Sequence, residues 1–128
     1  MTQTILIVDD SVTARAAVDQ ALRGEKRTIL HAVDGEDALR ILSERKAAGQ
    51  QVELIVTDVN MQPVNGISLT KQVRSGIFPY VPIIVITTEH DKQKTEAAKE
   101  AGATAWLNKP FDDAALISLV EQLLPEER

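Results

Sequence analysis

Five positions in this chain of 128 residues combine types and placements that could do chemistry together. They are the adjacent carboxylates Asp9 and Asp10, the lone carboxylate Asp58, the hydroxyl of Thr87 and the ammonium of Lys109. Each follows an apolar run: Ile5-Leu6-Ile7-Val8 before Asp9, Leu54-Ile55-Val56 before Thr57-Asp58, Val81 to Ile86 before Thr87, and Thr104 to Asn108 before Lys109. One aspartate after one apolar run is most often a turn or a helix cap. Four strand ends that all finish in reactive side chains are a different matter. Three carboxylates gathered in one crevice repel one another and raise each other's pKa unless a cation joins them. Oxygen ligands with no thiolate favour Mg²⁺, which takes one or two carboxylates, several waters and a phosphoryl oxygen. An ammonium and a hydroxyl aimed at the same point suit the equatorial oxygens of a transferred phosphoryl group. The set therefore reads as a carboxylate nucleophile receiving a phosphoryl group, with metal, lysine and threonine neutralising charge.

These residues meet only if the elements before them lie side by side. Short apolar runs bounded by turn signals have the pattern of strands buried on both faces. Between them lie stretches of helical period. Ser11 is placed to cap a helix with Ala14, Ala17, Val18, Ala21 and Leu22 inward, ended by Gly24. A weaker strand, Thr28 to Val33, contains His31 and turns at Asp34-Gly35 into a helix from about Glu36 to Lys46, with Ala38, Leu39, Ile41 and Leu42 inward. Pro63 and Asn65-Gly66 mark a loop, and Ile67, Leu69 and Val73 a short helix closed by Gly76. Asp91 to Gly102 has helical composition but nothing apolar larger than alanine, and Asp112 caps a last helix to Leu124. Strands alternating with helices predict an α/β fold: a five-stranded parallel sheet, doubly wound with five helices. With right-handed crossovers, the strand order 2-1-3-4-5 brings the polar strand ends to one edge, around the switch point between the first and third strands.

Composition narrows the function classes. Charged residues are 26% and hydrophobic ones 44%, as in a globular domain. Residues 1–128 read as one domain, without linker, repeat or low-complexity tract. No apolar run approaches the roughly 20 residues of a membrane span, and the start lacks a signal-peptide pattern. Cysteine is absent, which removes disulfides and thiolate sites and fits a cytoplasmic location. A net charge of −5 argues against nucleic acid or an anionic membrane as partner. One Trp, one Tyr and two Phe leave little for stacking platforms or a flavin sandwich.

Together, Val8-Asp9-Asp10-Ser11, Asp58 after its aliphatic strand, Ile86-Thr87 and Asn108-Lys109-Pro110-Phe111 resemble the receiver domain of bacterial two-component response regulators, over the whole chain. The resemblance implies Asp58 as phosphoacceptor, Asp9 and Asp10 as the acidic pair for Mg²⁺ (Asp10 directly), and the Asn60 backbone carbonyl as a further ligand. It implies Thr87 as the switch hydroxyl, Lys109 as the phosphoryl partner, Trp106 at the switch aromatic, and a cis Lys109-Pro110 bond. Asn60 and Glu89 fall where family members tune the lifetime of the phosphoryl group. A sensor histidine kinase is then the phosphodonor. With only a short charged tail after Leu124, no output domain is expected. A monomeric, stand-alone receiver of this length is most similar to the chemotaxis type, whose partners are the flagellar motor switch protein and a phosphatase. Such a protein is a phosphoacceptor rather than an enzyme, assisting only its own phosphorylation and dephosphorylation. Three departures stand out: Gln62-Pro63, where the family places proline one residue earlier; Thr88, where it has alanine or glycine; and tryptophan at 106, where it has tyrosine or phenylalanine. The expected partner face is formed by the fourth helix, fifth strand and fifth helix. There Ile117 and Leu124 widen an apolar stripe of Leu116, Leu119, Val120 and Leu123.

Other classes fit less well. An aspartyl-nucleophile, Mg²⁺-dependent phosphatase would carry its first two aspartates as D-x-D, not adjacent. A flavodoxin would need a Ser/Thr-rich phosphate loop. No GxGxxG or GxxxxGK is present. An intermediate or sink in a multistep phosphorelay is the alternative within the family. His31 reads as structural, His90 as a solvated loop residue, Asp34-Gly35 and Asn65-Gly66 as turns, and Phe78 and Tyr80 as loop packing under the sheet.

Overall fold

The computed structural model describes residues 2–88 and 92–124. Five parallel strands stand in the order β2-β1-β3-β4-β5, as expected. They are β1 (Gln3–Val8), β2 (Arg27–Ala32), β3 (Leu54–Asp58), β4 (Ile83–Thr88) and β5 (Ala105–Lys109). The helices between and after them are α1 (Val12–Leu22), α2 (Gly35–Ala47), α3 (Gly66–Gln72), α4 (Lys92–Ala101) and α5 (Asp113–Leu123).

Strand alternation divides the apolar residues between two cores. Leu6, Val8, Ile55, Ile83 and Val85 face Ala38, Leu42, Leu69 and Ala98 on α2, α3 and α4. Ile5, Ile7, Val56, Ile84 and Ile86 face Val18, Leu22, Leu116 and Val120 on α1 and α5. Burying each such large aliphatic side chain contributes about 1.5–3 kcal/mol, and the three inner strands supply most of them. The sheet is therefore the rigid part, and its carboxyl edge inherits that rigidity.

Helix starts are fixed locally. Ser11, Asp34, Asn65 and Asp112 each accept a hydrogen bond from a backbone N–H three residues on. Asp34-Gly35 and Asn65-Gly66 are thus helix entries, not free turns. Both glycines are demanded by close approach. A Cβ on Gly66 would lie 2.2 Å from the Asp58 carbonyl oxygen, and one on Gly35 would lie 2.4 Å from that of Val64.

Several expectations need correction. Ala17 is exposed, and α1 instead buries Asp19 beside Val18 and Leu22. Asp19 accepts from Arg23 at 3.0 Å and meets His31 Nε2 at 2.7 Å, a pairing that apolar periodicity could not reveal. Phe78 packs on the core as expected, but Tyr80 is 93% exposed. The third helix continues past Gln72 through a widened turn over Val73–Ile77, and its helical backbone breaks at Gly76, as the sequence predicts. Leu124 is a core residue, not the rim of a surface stripe, and Ile117, Leu119 and Leu123 pack half-buried against the same cluster. The wide apolar arc of α5 is therefore spent largely on the core.

Candidate functional site

Asp58 is the last residue of β3, and Asp9 is the first after β1, its neighbour in the sheet. Both are buried, whereas Asp10 is exposed. One oxygen from each of the three lies within 4.8 Å of the others. From the end of β5, Lys109 Nζ reaches to 3.3 Å from Asp58 Oδ1 and 4.0 Å from Asp9 Oδ2. The Ser11 backbone N–H donates to Asp9 Oδ1 at 2.9 Å, and Arg15 donates to the Asp9 carbonyl at 2.6 Å. The loop after β1 is thereby held in place.

The electrostatics of the site are those of crowded, partly buried carboxylates, which a cation could join. Burial pushes the Asp9 carboxyl above its ordinary range; the Ser11 N–H and Lys109 oppose this, and Asp58 and Asp10 add to it. Negative charge is thus concentrated where water screens it poorly. Three convergent carboxylates without imidazole or thiolate form a donor set for a hard divalent ion. Asn60, in the loop after β3, lines with Asp10 a cleft of about 820 Å³ that opens beside this cluster.

Thr87, on β4, is fully buried, and its hydroxyl donates to Asn108 Oδ1 at 2.8 Å. It stands in register with Asn108, and Val85 with Trp106, so all four share one face of the sheet. Trp106 is half-exposed beneath α4, with the Lys99 ammonium 5.9 Å from its ring centroid. This agrees with the exposure that strand alternation predicts. Glu89 and His90 lie outside the described residues. Ile117, on α5, is remote in kind from the acidic site, packing on the apolar cluster. The Lys109-Pro110 bond is cis, and so is Gln62-Pro63, in the loop that departs from the family pattern.

Two participants escape a reading of the sequence. Asn108 became visible as the partner of Thr87 only through the β4–β5 register. Lys94, on α4, donates to the Asn60 side chain and lines the same cleft. Its place in an alanine-poor-in-bulk helix carries no apolar signal that would single it out.

The response regulator receiver domain model matches residues 5–121. This chain belongs to the response regulator receiver domain family. It is 36% identical over 122 residues to the chemotaxis protein CheY1 of Helicobacter pylori, covering 94% of this chain and 95% of that protein. The CheY homolog of Campylobacter jejuni is 34% identical, with 94% and 91% covered. Among solved structures, the chemotaxis response regulator CheY4 of Vibrio cholerae superposes with a TM-score of 0.82 at 33% identity, covering 97% of this chain and all of that one.

Proposed function

We propose that Asp58 accepts a phosphoryl group from a sensor histidine kinase and that the protein signals through a phosphorylation-dependent change of its surface. The observation that carries this reading is the Lys109 ammonium held 3.3 Å from Asp58 at the rim of a three-carboxylate cluster. An Asp58 oxygen attacks phosphorus in line as the bond to the donor's phosphohistidine nitrogen breaks, and that nitrogen keeps the electron pair. Lys109 answers charge on the phosphoryl oxygens, a stabilisation already in place before reaction. Asp9, Asp10 and Asp58, with the Asn60 carbonyl, would hold Mg²⁺. When bound, that ion neutralises the developing phosphoryl charge and joins the carboxylates. Thr87 then exchanges Asn108 for a phosphoryl oxygen, which loosens the face where Trp106 and α4 lie.

Likeness to CheY proteins along the whole chain supports a single receiver unit over residues 1–128, acting in chemotaxis by binding a flagellar motor switch protein and being reset by a phosphatase. In this role it is a phosphoacceptor rather than an enzyme. The α4–β5–α5 face is the candidate partner surface, centred on Trp106, with half-buried Ile117 at its edge. No described helix is long and apolar enough to cross a membrane, and a cytoplasmic monomer is the form proposed. Incubation with acetyl phosphate and Mg²⁺, followed by intact mass spectrometry, should show one added phosphoryl group that EDTA prevents. Addition independent of a divalent ion would count against the scheme.

A further inference from the structure

The cleft beside Asp58 presents a problem to any small phosphoryl donor. Such donors are anions, and the approach passes three carboxylates on a protein of net charge −5. Lys109 is already engaged, at 3.3 and 4.0 Å, with Asp58 and Asp9. The other walls of the cleft are apolar or amide groups, among them Met61, Gln62 and Asn60. Lys94 is the cation that lines it among the described residues. This lysine is half-buried in the first turn of α4, and its ammonium reaches across to the Asn60 side chain in the loop after β3. A lysine with no role beyond solubility would extend into water. This one is held over the entrance.

We propose that Lys94 determines donor specificity: it attracts phosphoryl donors carrying two negative charges into the cleft and so favours them over donors carrying one. The proposal presupposes Asp58 as acceptor. Charge steering of this kind acts on encounter and weakens with salt, because an exposed ammonium is screened over about 8–10 Å at ordinary ionic strength. With acetyl phosphate, a dianion, an Asp58 oxygen bonds to phosphorus, the bond from phosphorus to the acyl oxygen breaks, and acetate leaves with the electron pair. With phosphoramidate, which has one net negative charge at neutral pH because its nitrogen is protonated, the phosphorus–nitrogen bond breaks and ammonia leaves. The chemistry at Asp58 is the same, and only the charge that must enter differs.

The test compares second-order rates of phosphorylation by the two donors, at saturating Mg²⁺, in wild type, Lys94→Gln and Lys94→Arg. Neutralising Lys94 should slow acetyl phosphate about fivefold, as expected for the loss of one nearby unit charge in a largely aqueous setting, and phosphoramidate about twofold or less. Lys94→Arg should restore the preference. Raising the salt concentration should slow the wild type with acetyl phosphate more than it slows Lys94→Gln. An equal loss with both donors would overturn the proposal, assigning Lys94 a merely structural hold on Asn60; so would unchanged rates. If wild type and Asp58→Asn are labelled alike, it is the acceptor assignment that fails. That result is distinct from a normal acceptor with an unaltered donor preference.

Discussion

Thr87 and Asn108 stand opposite each other on β4 and β5, and the threonine hydroxyl donates to the asparagine side chain at 2.8 Å. A hydroxyl has one hydrogen to give. While it serves Asn108, Thr87 cannot serve a phosphoryl oxygen on Asp58, so the bond opposes the change that phosphorylation would bring. Thr87 is fully buried whereas Asn108 is exposed, so the bond lies at the edge of the site and carries the modest net worth of an ordinary hydrogen bond.

Asn108→Ala should therefore favour the switched arrangement. A net hydrogen bond is worth roughly 1 kcal/mol, which corresponds to about a fivefold shift in the equilibrium. Trp106, on the same sheet face and half-exposed, is the sole tryptophan and reports the change. Its emission should respond to acetyl phosphate plus Mg²⁺, with a midpoint about fivefold lower in donor for the variant. An identical midpoint would mean that Asn108 does not restrain Thr87. No response in either protein would make Trp106 simple packing.

Asp9 is predicted to exchange stability for cation binding. Burial raises its carboxyl pKa, so the folded state holds a proton more tightly than the unfolded chain does. The sign follows directly. Its contribution is most favourable in acid and is lost as pH rises from the ordinary carboxylate range through the raised value. Asp9→Asn should consequently melt about 2–4 °C higher than wild type at neutral pH without metal. It should also lose most of the rise in melting temperature that Mg²⁺ gives the wild type, a rise that itself should shrink as pH falls. Differential scanning calorimetry with and without Mg²⁺ measures both, and a variant still stabilised by Mg²⁺ would remove Asp9 from the ligand set.

Asp19 should behave in the opposite way. Burial alone would raise its carboxyl, but hydrogen bonds from His31 and Arg23 hold it below the ordinary range. Stability from this group is present above the ordinary carboxylate pKa and is lost as pH falls through the lowered one. Asp19→Asn should cost about 1–3 kcal/mol in urea unfolding at neutral pH, with a smaller difference in acid. Phosphorylation should be unaffected, since Asp19 lies toward the end of α1 and pairs with Arg23 and His31 rather than with the carboxylate cluster. A pH-independent penalty would show the pairing with His31 and Arg23 to be incidental.

Lys109→Ala should uncouple rather than unfold. The side chain is 42% exposed and contributes little to the core. Melting should shift by only a few degrees. Labelling of Asp58 should persist at a reduced rate, while the Trp106 emission change on labelling should largely disappear, because the ammonium that answers the phosphoryl charge is gone. Full retention of that optical change would contradict the role given to Lys109.

What could be read from the chain in advance follows from which signals are local. Apolar runs ending in Asp9, Asp58, Thr87 and Lys109 disclose strands and their functional ends, because a buried parallel strand must be apolar almost throughout. Crossover handedness leaves few strand orders, and the flavodoxin-like one among them brings those ends together. Asp19 escapes such a reading because a polar residue on an inward helix face looks like a break in the pattern. Only its partners, Arg23 one turn on and His31 on β2, make its burial tolerable. Leu124 is core where its spacing predicts a surface edge, because an amphipathic arc gives the breadth of the apolar face, not which edge the sheet covers. Asn108 and Lys94 depend on register and on a helix-to-loop reach, neither of which is written in spacing along the chain.

The claim on which the rest depends is that Asp58, and no other carboxylate of the cluster, carries the phosphoryl group. Borohydride reduction answers it most directly, since it converts an aspartyl phosphate to homoserine and leaves free aspartate unchanged. After acetyl phosphate and Mg²⁺ treatment, peptide mass spectrometry should find homoserine at position 58 and intact aspartate at positions 9 and 10. Conversion at Asp9 or Asp10, or a labelled protein in which residue 58 remains aspartate, would contradict the account.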